Sequence, residues 1–101
     1  MTINEIEKMV DNTLEAKGFR RNFPVRLNKR FSRTYGAVRL RNNKIYAMEF
    51  SSKFVSQAPD DVMRETVLHE CAHAIVDLRY PNELHNQPSL SFYHKKQQVR
   101  N

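Results

Sequence analysis

The chain changes its hydrophobic period twice. Ile3, Ile6, Val10 and Leu14 recur at helical spacing, while Asn4, Lys8, Asp11 and Glu15 fall mostly on the other side. That pattern predicts a helix with one apolar stripe. Thr2 followed three residues later by Glu5 is a capping-box pattern, and Gly18 is a natural stop. The period then shortens to two. Residues 23–31, FPVRLNKRF, alternate around Val25 and Leu27, and Pro24 suits the start of an edge strand. AVRLR and KIYAMEF flank Asn42-Asn43, a pair that tolerates positive φ and predicts a tight hairpin. Gly36, just before the first of these strands, marks a bend or close packing.

SSKFVSQA then leads to Pro59. Pro59, Asp60 and Asp61 read as a helix start, with proline in the first turn and acids at the positive end of the dipole. This helix should run to about Arg79 or Tyr80, where Pro81 stops it. Val62, Val67, Ala74, Ile75 and Leu78 are its expected buried residues. Residues 82–101 are polar and weakly patterned, with room for a short helix from Leu90. The predicted order is N-terminal helix, small antiparallel sheet of about three strands, long helix, short C-terminal segment. This is an α+β fold in a single domain, residues 1–101.

Composition narrows the class. No apolar run approaches a membrane span, and the N-terminus carries acids rather than a signal pattern, so no membrane partner is expected. Cys71 is the only cysteine, which excludes an internal disulfide and a thiolate zinc cluster. A soluble, cytoplasmic protein is the simplest reading. The net charge of +6 is uneven: residues 20–53 carry ten Lys or Arg against Glu49 alone. Residues 54–83 instead carry six acids against Arg64 and Arg79. Such asymmetry points to nucleic-acid contact or to a solvated basic face.

The strongest chemical signal lies in the long helix. VLHECAHAIV places His69 and His73 four residues apart, hence one turn apart on one face. Two imidazoles so placed can share one metal ion, and zinc is the default for such a pair. Glu70 is displaced by about 100° around the helix, beside the metal rather than on it. There a carboxylate can take a proton from the attacking water. This is the H-E-x-x-H arrangement of zinc peptidases. A catalytic site needs a third protein ligand: His85 and His94 are the remaining histidines, and Glu83 is a carboxylate alternative. Cys71 lies two residues from each histidine, points elsewhere, and reads as a small packed residue.

RFSRTYGAVRLRNNKIYAMEFSSKFV followed by DDVMRETVLHECAHAIV resembles the SprT-like zinc metallopeptidase domain. The matching positions are Arg33 and Gly36, then Met48 to Ser51, then His69, Glu70, His73 and Ala74, within roughly residues 20–85. The resemblance implies a zincin-like endopeptidase domain with Zn²⁺ as cofactor and a protein or peptide substrate. It implies a third ligand about a dozen residues after the motif, which favours His85 over His94. The family's H-G-x-x-[FW] pattern is departed from here, with Asn86 in place of glycine and Phe92 late. Many relatives carry a Cys-rich zinc ribbon, which one cysteine cannot build. Eukaryotic relatives called Spartan cleave proteins crosslinked to DNA. That implies DNA as a partner of segment 20–44 and phosphate contacts among Arg20, Arg21, Lys29, Arg30, Arg39, Arg41 and Lys44.

The leading expectation is zinc-dependent peptide hydrolysis with Glu70 as proton acceptor and substrate along the strand at 23–31. Its rivals are a non-catalytic DNA-binding module clamped by zinc, and a truncated or decayed peptidase.

Overall fold

The structure, a computed structural model, describes residues 1–80. The first element, α1, spans Ile3–Ala16. Thr2 Oγ1 accepts from the Glu5 amide at 3.2 Å, and the Thr2 amide donates back to Glu5 at 2.8 Å, closing the capping box. Ile6, Val10 and Leu14 form its fully buried stripe. At the far end Gly18 adopts φ +85°, and the amides of Gly18 and Phe19 return to the carbonyls of Glu15 and Leu14. That pair of bonds is a Schellman ending, which requires the left-handed conformation glycine takes without steric cost.

Three strands follow: β1 Val25–Asn28, β2 Gly36–Arg41 and β3 Lys44–Ser51. β2 and β3 form the expected antiparallel hairpin, turning through Asn42 and Asn43 at φ 52° and 66°. Positive φ at both central residues matches the right-handed twist of the flanking strands. The sheet order is β1-β3-β2, and β1 pairs with β3 in parallel. The expected all-antiparallel sheet is therefore corrected to a mixed one. The reason lies in burial: Ala47 to Ser51 are buried in succession, so β3 takes the central place with a strand on each edge. It inserts between β1 and β2, which run in opposite directions with residues 29–35 joining them.

A short helix, α2, spans Ser52–Gln57 where no element was expected. Ser51 caps it, its hydroxyl accepting from the Phe54 amide and donating to the Phe31 carbonyl. The long helix, α3, spans Asp60–Arg79. Its buried row is Met63, Val67, Glu70, Cys71, Ala74 and Asp77. Val62, expected inside, is exposed, and Met63 takes the core position instead. α1 and α3 pack together over the face of the sheet that carries Val25, Val38, Met48 and Phe50, forming one core. The fold is thus α+β, two layers deep. Among the described residues no helix is long and apolar enough to cross a membrane.

Candidate metal centre

His69 and His73 project from the same side of α3 with their Nε2 atoms 2.9 Å apart. The rings stand edge to face, 84° between planes and 4.5 Å between centroids. Both are half-buried. Burial also holds His69 below its ordinary pKa, favouring the neutral imidazole that binds metals. A tetrahedral ion at the usual zinc–nitrogen distance needs about 3.3 Å between two such atoms. A few tenths of an ångström of opening would therefore admit one, so this pair fits a divalent cation.

Glu70 sits beside the pair and is only 1 % exposed. Its Oε1 has no hydrogen-bond partner. Removal from water, with no compensating charge, pushes the carboxyl up to about 7. An orphaned buried carboxylate oxygen costs about 1–3 kcal/mol or more, so its presence calls for a function. The stem of Glu70 lies against Gly36 at the start of β2 and near the ring of Phe50.

Among the described residues no set of three His, Cys, Asp or Glu side chains is grouped to hold an ion. His85, His94 and Glu83 lie outside the described residues. Cys71 points into the core as expected; burial first, then the nearby Glu70 charge, pushes its thiol up to about 12. Sequence reading passed over Asp77, buried one turn beyond His73 on the same face. A carboxylate at that spacing can orient a ligating imidazole, and the four-residue step was the available signal.

The basic residues separate into two kinds. Arg20, Lys29, Arg30, Arg39, Arg41 and Lys44 are exposed. Arg21 is only 18 % exposed and is consumed internally, donating to Asp11, to Glu7 at 2.9 Å and to the Phe23 carbonyl at 2.6 Å. It clasps α1 to the segment entering β1. Arg39, Arg41 and Lys44 gather on the β2–β3 hairpin around Tyr46, with the Arg41 guanidinium 4.8 Å from the ring centroid. The strand at 23–31, expected to line the site, forms the opposite edge of the sheet; β2 is the edge strand whose start touches Glu70. A cavity of about 340 Å³ lies near the first turn of α3, between Tyr35, Phe54, Pro59 and Val62, away from the histidines.

A family model for the SprT-like family matches residues 3–99. The chain belongs to that family, which is generally zinc-associated and linked to the zincin-like metallopeptidase fold. No curated protein and no solved structure matches it.

Proposed function

We propose that this protein is a zinc-dependent metallopeptidase that hydrolyses peptide bonds in protein substrates. The observation that carries the reading is the convergence of the two Nε2 atoms beside a buried carboxylate oxygen that has no partner. His69 and His73 would hold Zn²⁺, with His85, or else His94, as third ligand. When bound, the ion supplies Lewis acidity that acidifies water and polarises the scissile carbonyl. Glu70 would accept the water's proton and hand it to the leaving amine.

The test is zinc content and cleavage together. Wild type should carry one zinc and cleave an unfolded protein, while His69→Ala and His73→Ala should lose both. Zinc content of His85→Ala and His94→Ala then chooses the third ligand. Retention of full zinc by both His69→Ala and His73→Ala would sink the reading.

A second property is favoured by the hairpin. Arg39, Arg41 and Lys44, with Tyr46 among them, form an exposed cationic and aromatic surface suited to phosphates and bases. DNA-associated proteins are accordingly the proposed substrates. DNA affinity should fall steeply with salt, and a flat salt dependence would remove this property without touching the peptidase assignment.

A further inference from the structure

Glu70 comes down from α3 onto the sheet at the cross-strand pair of Gly36 and Phe50. A Cβ at Gly36 would stand 2.9 and 3.0 Å from Cδ1 and Cε1 of Phe50, and 3.2 Å from Cγ of Glu70. Comfortable carbon contacts are about 3.5–4.0 Å. Gly36 is not in the left-handed region, where Gly18 is the glycine found. Backbone freedom therefore does not explain it, and space does. The Phe50 ring is fully buried in the core and has no ready retreat. Glu70 ends in an oxygen that no hydrogen bond restrains, so packing along its stem must set its direction.

We propose that Gly36 is a positioning residue for Glu70: its missing side chain and the Phe50 ring together form the socket that aims the carboxylate. The catalytic meaning of the socket rests on the role given to Glu70 above. Added bulk at Gly36 shifts Glu70 while leaving the two histidines, on the neighbouring face of α3, able to bind metal. A misplacement of this kind costs about tenfold to a hundredfold in turnover.

Two measurements test it. The first is thermal unfolding of metal-free protein in a double-mutant cycle of Gly36→Ala with Glu70→Ala, which removes Cγ. Gly36→Ala should lower Tm by several degrees, and by clearly less when Glu70 is already alanine. Equal losses in the two backgrounds overturn the socket. The second is zinc titration with steady-state cleavage of an unfolded protein. Gly36→Ala should bind one zinc with nearly unchanged affinity, lose about tenfold or more in kcat and keep its KM. Wild-type kcat in Gly36→Ala overturns the positioning role. If wild type itself cleaves nothing, the catalytic role fails, and the unfolding cycle shows separately whether the contact exists.

Discussion

Glu49 and Glu70 are both carboxylates withdrawn from water, 6 % and 1 % exposed, yet their surroundings are opposite. Glu49, on the outer face of β3, accepts from Arg26 at 2.7 Å and Asn28 at 3.1 Å, with Arg39 at 3.8 Å. Glu70, on the buried side of α3, has an oxygen with no partner. Burial pushes Glu49 up, but the hydrogen bonds and the two guanidinium charges outweigh it and hold its carboxyl below the ordinary range. For Glu70 burial acts unopposed. One acid is arranged to stay charged and hold strands together. The other is left where burial favours its neutral form, the setting that the proposed proton transfer would use. Burial alone therefore does not set the charge of a carboxylate; its partners decide it.

The largest expected effect separates the two by activity. Glu70→Gln should lower kcat by about a hundredfold to ten-thousandfold, the range for loss of a positioned proton acceptor, with one zinc retained. Glu49→Gln should cleave at the wild-type rate. Cleavage assays with zinc analysis on both variants check this, and equal losses would erase the distinction.

Stability should divide the other way. Glu49→Ala removes two hydrogen bonds and leaves Arg26 and Asn28 without their acceptor, an expected loss of about 2 kcal/mol in urea unfolding. Glu70→Gln in metal-free protein near pH 8 should be no less stable than wild type, since it replaces a buried charge with a neutral amide.

The pH dependences carry opposite signs. Glu70 has a folded pKa raised to about 7 from 4.5, so its favourable contribution is complete below 4.5 and lost as pH rises through 7. Metal-free wild type should therefore lose on the order of 3 kcal/mol relative to Glu70→Gln across that window. Glu49 has a lowered folded pKa, so its contribution is present above 4.5 and lost as pH falls through the folded value. Acid titration should destabilise wild type more than Glu49→Gln. Urea midpoints against pH for the three proteins read both signs, and parallel curves would refute them.

The parts legible in the sequence were those with short-range causes. Thr2, Glu5 and Gly18 bound α1, Asn42-Asn43 turn the hairpin, and the spacing of His69 and His73 brings their nitrogens together because helix geometry alone does so. What escaped depends on distant partners. β1 and β3 pair in parallel because a strand from later in the chain inserts between two earlier ones, which alternation cannot reveal. α2 is six residues long, too short to show a period. Arg21 looked like one more cation in a basic run, but Glu7 and Asp11 of α1 claim it. The contrast between Glu49 and Glu70 is of the same kind, since only packing decides which carboxylate finds guanidinium groups.

The smallest effect tests how Glu49 divides its two arginines. Arg26 lies within hydrogen-bonding distance but is 51 % exposed, while Arg39 stands at 3.8 Å and is also turned largely to solvent. Water screens both pairs, so each is worth about 1 kcal/mol or less. Arg26→Gln should cost more than Arg39→Gln, because it forfeits a hydrogen bond to a buried oxygen as well as charge. Arg39 spends its Nε on the Tyr46 hydroxyl at 3.4 Å and approaches Glu49 only as a charge. Raising the salt to about 1 M, where the screening length is about 3 Å, should shrink the Arg39→Gln loss further and leave most of the Arg26→Gln loss. Urea unfolding of both variants at low and high salt reads the difference. Equal losses that vanish together would mean that Glu49 is held by field alone, and its partnership would then differ from the isolation of Glu70 only in degree.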